Sequence, residues 1–263
     1  MKNDGSHLPN TNSEPLSSQN WPSNERIISK MQEQIDANLG ENVWNMLTQN
    51  DAPKACMCDV ELSRTTGLLI FNFDQIADSN IGNKIFSKVR HGLTHSDFAW
   101  AREEFLKYGD IDIFAKTLLE KQLNELKVHM QQCTEFYGQP ITMEVYDFIS
   151  SIENIFYGKR HGNKIIATAI PFQTLDYLRA KDDKRKRYYM CHCPFARESI
   201  LSDSPVSKTM CYCSLGHNLA FWETVLDTEL SGDVISSALG GDLSCKFVIY
   251  LTDELMRKYV HNR

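Results

Sequence analysis

The sequence predicts an α+β fold, with a helical N-terminal half and a C-terminal antiparallel sheet carrying inserted helices. Three observations carry this prediction. Between Arg26 and Tyr137 apolar residues recur at three- and four-residue intervals, the period of amphipathic helices. Beyond Gly162 that period gives way to short β-branched runs bounded by Gly and Pro. Near the C-terminus two such runs, Val234 to Leu239 and Cys245 to Leu251, flank GGDLS, a hairpin signal. The chain then divides into a disordered leader over 1–24, a helical region over 25–160, and a cysteine-rich, small-molecule-binding-like α+β domain over 161–263.

Taken in order, the leader is rich in Ser, Asn and Pro and has no periodicity. Ile27, Met31, Ile35, Leu39, Val43 and Leu47 recur every fourth position and define one amphipathic helix, with Gly40 as its weak point. The segment ACMCDVELSR follows and brings Cys56 and Cys58. Helices are predicted over Ile81 to Val89, Phe98 to Tyr108 and Ile111 to Tyr137, the last stopped by Gly138 and Pro140. Met143 to Phe156 leans towards helix, and Lys164 to Pro171 reads as a strand. A charged loop, RAKDDKRKR, leads into a strand over Tyr188 to Cys193, and a further strand covers Lys208 to Cys213. A helix over Gly216 to Leu226 precedes the final hairpin.

With 42% apolar and 24% charged residues, the composition is that of an ordinary globular protein. A net charge of −6 weighs against nucleic acid as a partner. No apolar run approaches the roughly 18 residues that a membrane span needs. The N-terminus MKNDGSHLPN lacks the apolar core of a secretory signal, so a cytoplasmic, reducing location is expected. There, eight cysteines are expected as free thiols, metal ligands or catalytic groups rather than disulfides. The expected partner is a small-molecule ligand, with a homodimer as the assembly left open.

Five of the eight cysteines fall between Tyr189 and Leu251, four of them as the pairs Cys191/Cys193 and Cys211/Cys213. If each pair ends a strand, its two thiols share one face, and neighbouring strands would gather all four. Each pair precedes a break and a helical pattern, which puts Cys193 and Cys213 near helix N-termini that favour thiolate. Three readings stay open. The thiols are packed as small hydrophobes; or Cys191, Cys193, Cys211 and Cys213 hold zinc, although two residues along a strand span about 6.6 Å and spread the sulfurs; or a thiolate reacts. For the third, Cys213 and Cys193 are the candidate nucleophiles, with His217 one turn on; Glu223 is either exposed at the helix midpoint or caps the polar side of the pocket. His192 alternates with its cysteines and should face away. Arg197 and Glu198 could hold a substrate carboxylate and orient a water, or form a surface ion pair; Trp222 lines the pocket or packs the core. Asp242 is expected as a turn residue, and Cys133 as a packed helix residue. Cys56 and Cys58 either complete the pocket or have no role.

The stretch GDVISSALGGDLSCKFVIYL resembles the end of the vinyl-reductase-type small-molecule-binding domain, which is similar in fold to vesicle-tethering TRAPP-type subunits. The resemblance lies in a cysteine-bearing strand, a Gly-containing helix, a strand, and Gly241, Asp242, Cys245 and Phe247. CHCPFARES followed by CYCSLGHNLAFWE also resembles a bacterial group similar to the aminothiazoline-carboxylate hydrolase family, which opens short cyclic cysteine precursors. The second resemblance implies hydrolysis of a small cyclic or amide substrate and extends over nearly the whole chain. Some sensors of the first family hold zinc with a Glu and two further Cys around the last hairpin. Here Val234 and Ser237 stand where two of those ligands would be, and only Cys245 has a counterpart.

Overall fold

The structure, a computed structural model, describes residues 22–202 and 206–261. Almost all of the expected leader over 1–24 lies outside the described residues. The architecture is α+β. The helices of the first half are α1 (Asn24–Leu39), α2 (Val43–Thr48), α3 (Asp59–Ile76), α4 (Ser79–Ser87), α5 (Ala99–Leu106), α6 (Ile111–Gln132) and α7 (Met143–Ser151). Side chains of Ser23, Asp78, Asp110 and Thr142 accept hydrogen bonds from the first-turn N–H groups of α1, α4, α6 and α7. The single helix expected over Arg26 to Leu47 is two, because Gly40 (φ 117°) and Asn42 (φ 68°) break it. Helix α3 starts directly after Cys58 and buries Leu62, Leu69, Ile70 and Phe73.

Two short strands, β1 (Glu135–Phe136) and β2 (Gln139–Pro140), form a minor hairpin. The main sheet contains β3 (Lys159–His161), β4 (Lys164–Thr168), β5 (Ser231–Ser236) and β6 (Lys246–Tyr250) in the order β3-β4-β6-β5, each pair antiparallel. The register sets Ile165 opposite Ile249 and Ala167 opposite Phe247, so one face is apolar. The remaining helices are α8 (Thr174–Arg179), α9 (Asp183–Met190), α10 (Cys211–Leu226) and α11 (Asp253–Tyr259).

Helix α10 is the centre of the molecule. Its Leu215, Leu219, Phe221 and Trp222 share one buried cluster with Ile165, Phe247 and Ile249 of the sheet and with Phe98, Phe105 and Phe114 of the first half. Full burial of such side chains is worth about 1.5–3 kcal/mol each. The boundary expected near residue 160 therefore separates no cores. Gly216 lets α10 approach α4 closely, since a Cβ there would meet the Ser87 carbonyl oxygen inside van der Waals contact. Among the described residues no helix is long and apolar enough to cross a membrane.

Two expected strands are not strands. Tyr188 to Met190 end helix α9, whose N-cap Asp182 accepts from Arg185 N, and Cys191 to Cys193 are loop. Lys, Arg and Met in this stretch are good helix formers, and a charged run read as loop is most of the helix. Lys208 to Met210 form a 3₁₀ turn, opened by Ser207, which leads straight into α10 at Cys211. Both stretches contain Tyr and Cys, and the second also Thr, which suit a strand, but each follows a helix-starting polar residue, Asp182 or Ser207.

Candidate functional site

The correction to α10 changes what its cysteines face. On a helix, residues two apart point to different sides, so Cys211 and Cys213 part company. Cys211, Ser214 and Asn218, spaced i, i+3 and i+7, line a cavity of about 130 Å³ together with His217. The loop after α9 supplies Cys191, His192 and Cys193, the β5–β6 connection supplies Ser237 and Cys245, and α6 supplies Gln122. The turn between α4 and α5 supplies His91. Cys213 instead packs among Phe73, Phe86 and Val89 of the first-half core and is 1% exposed.

The turn bearing His91 is held in an uncommon backbone conformation. Arg90 (φ 55°), His91 (φ 52°) and Gly92 (φ 75°) are all left-handed, which costs a non-glycine residue of order 1–3 kcal/mol. Three contacts with α10 hold it there. The Arg90 guanidinium pairs with buried Glu223 at 2.5 Å. The His91 amide donates to Cys213 Sγ at 3.3 Å. His91 Nε2 lies 3.1 Å from Ser214 Oγ. Glu223 also accepts from Leu230 N at 3.1 Å. Glu223 and Cys213, expected as reacting groups, thus support the His91 turn from behind.

Electrically the cavity is neutral. None of the described residues lining it is Lys, Arg, Asp or Glu. Burial, aided by the neighbouring His217 and His192, lowers the His91 pKa to about 3. Burial and His192 lower His217 to about 4. Burial also lowers His192, whose Nε2 donates to the Ile170 carbonyl at 2.7 Å. The thiols move the other way. Burial pushes Cys211 up to about 12, raises Cys191, and raises Cys193 and Cys245 further. At neutral pH the wall therefore presents thiols and uncharged imidazoles.

The other expected site residues lie outside the cavity wall. Arg197 pairs with Asp59 at the start of α3 at 2.5 Å and stacks over Phe172 (4.5 Å) and Tyr188 (5.4 Å). Glu198 accepts from the Tyr188 hydroxyl at 2.7 Å. These contacts fasten the 3₁₀ turn after Cys193 to its neighbours. Trp222 is fully buried, and its Nε1 donates to the Tyr157 carbonyl at 2.8 Å, fixing a residue that does line the cavity. Cys56, Cys58 and Cys133 are exposed, Cys133 as the left-handed C-cap of α6. Asp242 accepts from Ser237 N at 3.1 Å within the β5–β6 loop.

Sequence reasoning did not single out His91, Gln122 or Ser214. The i, i+3, i+7 spacing of Cys211, Ser214 and Asn218 would have exposed Ser214 had the stretch been taken as helical; His91 carries no local signal at all. Comparison with protein-family patterns, curated proteins and solved structures finds no match to this chain.

Of the four thiols expected to hold zinc, Cys191, Cys193 and Cys211 line the cavity, whereas Cys213 packs in the first-half core. Cys245 shares the cavity with Cys191, Cys193 and Cys211 in its place. As arranged, no group of three His, Cys, Asp or Glu side chains among the described residues is disposed to hold a metal ion.

Proposed function

We propose that the protein binds a small uncharged molecule, of about the size of a single ring, in this cavity. The observation that carries the reading is the wall itself, which combines thiols, neutral imidazoles and aromatic rings without one charged side chain among the described residues. An apolar cavity of roughly 150 Å³ accommodates benzene, so about 130 Å³ sets the scale of the ligand. Burying an unpaired charge there would be costly, which selects neutral molecules. Gln122 lines the cavity, is 2% exposed, and its side-chain nitrogen has no hydrogen-bond partner. A ligand carbonyl oxygen would satisfy that donor, whose isolation otherwise costs about 1–3 kcal/mol.

Acetophenone and benzoate have nearly the same shape and differ in charge, which makes them the test pair. Acetophenone at a hundredfold excess over its Kd should stabilise the fold by about 2.7 kcal/mol, raising Tm by ~5–10 °C for a chain of this size. Benzoate should leave Tm unchanged, and Ala169→Phe, which fills the cavity, should abolish the acetophenone effect. No shift with acetophenone, or an equal shift with benzoate, would overturn the reading. Zinc is the competing occupant: Cys191, Cys193, Cys211 and Cys245 share the wall, although as they stand no three of them are disposed to hold a metal ion. One equivalent of zinc in protein purified without chelators, with stability lost on chelation, would replace the small-molecule reading. Hydrolysis through a Cys193 or Cys213 thiolate has less support, since burial holds both thiols protonated.

A further inference from the structure

We propose that Ser214 and His91 are a nucleophile–base pair that hydrolyses a small uncharged carboxylic ester held in the cavity. This rests on the cavity's preference for neutral ligands and adds a reaction to it.

The geometry comes first. Ser214 Oγ and His91 Nε2 are 3.1 Å apart, within the range that proton transfer requires, and both residues face the same cavity. They come from segments 123 residues apart in sequence. The left-handed Arg90–His91 backbone is supported from α10, through Glu223 and Cys213. Strain maintained by buried distant contacts is the pattern expected where a side chain must be aimed. Ser214 is the fourth residue of a 16-residue helix, so negative charge developing beside it lies near the positive end of that helix. Gln122 supplies a buried donor without a partner, suited to the carbonyl oxygen of the ester.

The chemistry balances without any group the chain lacks, other than water. With the His91 ring protonated on Nδ1, Nε2 accepts the Ser214 proton as Oγ bonds to the carbonyl carbon. The tetrahedral intermediate collapses, the ester C–O bond breaks, and the departing alkoxide takes the proton from His91. Water then adds to the acyl-serine, passing a proton to His91, which returns it to Ser214 Oγ as the carboxylic acid leaves. The net change is ester plus water to acid plus alcohol. Ionisation of the acid makes a carboxylate, which this uncharged wall does not favour, so the product is expelled while the ester is retained. The same wall disfavours charged esters as substrates.

The probe is phenylmethylsulfonyl fluoride, a neutral reagent that sulfonylates an activated serine with loss of fluoride. Mass spectrometry of the full chain should show one added group, mapped to Ser214, and acetophenone should protect against it. Ser214→Ala should remain unlabelled. His91→Asn, chosen because Asn tolerates the left-handed backbone, should slow labelling at least ~100-fold. Hydrolysis of phenyl acetate should fall by a similar factor in kcat, with KM within about twofold. If acetophenone stabilises the protein but Ser214 of the unaltered chain is not labelled, the pair is a structural hydrogen bond and this inference fails, while the binding reading stands. Labelling of Ser214 at an unchanged rate in His91→Asn would also overturn the pair. If acetophenone has no effect and no labelling occurs, both readings fall together.

Discussion

Cys213 sits in the first turn of α10, where the helix dipole favours a thiolate, yet burial pushes its thiol up to about 12. Magnitudes decide the contest. A helix terminus contributes about 0.3–1 kcal/mol, less than one pKa unit at ~1.4 kcal/mol per unit. The move from 9 to about 12 is several times larger. The thiolate expected at Cys213 is therefore not favoured, and Cys133, expected to be packed, is exposed. Iodoacetamide near pH 7.5 should label Cys56, Cys58 and Cys133 first, since all three are exposed, and Cys213 last. Peptide mapping over a time course checks the order. Rapid labelling of Cys213 in the folded protein would show that its thiol is neither enclosed nor protonated.

The packing of α10 on α4 depends on one missing side chain. Gly216→Ala would gain about 0.8–1 kcal/mol of helix propensity but drive a methyl group into the Ser87 backbone. Backbone cannot swing aside as a side chain can, so the helices must separate, and a net loss of about 1–3 kcal/mol is expected. Urea unfolding measures it; a more stable variant would mean that the two helices have room to spare. At this scale the sequence was most legible where side chains alone fix the element. The Ile27, Met31, Ile35 stripe and the Phe114 to Leu126 stripe depend on periodicity and form as expected, and the final hairpin forms with its first strand starting earlier, over Ser231–Ser236. It was least legible at Tyr188 to Cys193 and Lys208 to Cys213, where Tyr, Thr and Cys suggested strand and the caps Asp182 and Ser207 went unused. That error moved Cys213 into the site and left Ser214 out. His91 was beyond reach for another reason: its conformation is dictated by Glu223, 133 residues from Arg90.

Across the whole molecule, the cavity makes folding depend on pH from two sides. His91, His192 and His217 have folded pKa values below the ordinary 6.5. Between those values and 6.5 the unfolded chain binds more protons, so stability falls as pH drops below about 6.5. Each histidine contributes at a rate of about 1.4 kcal/mol per pH unit within that window. The thiols of Cys191, Cys193, Cys211, Cys213 and Cys245 have folded values above the ordinary 9.0. Above pH 9 the unfolded chain loses those protons first, so stability falls again as pH rises. Depressed carboxylates such as Glu104, held down to about 2 by Lys107 and Lys121, add to the acid limb only below their ordinary range. A plateau from roughly pH 6.5 to 9 should result, with both limbs visible in urea midpoints collected from pH 4.5 to 10. His217→Phe keeps a flat ring against Phe98, on which His217 stacks at 5.6 Å, and removes one titrating group. It should make the acid limb shallower by about one proton and leave the alkaline limb unchanged. An acid limb that begins only below pH 4.5, with the same slope in His217→Phe, would show that the cavity histidines are not held neutral by burial.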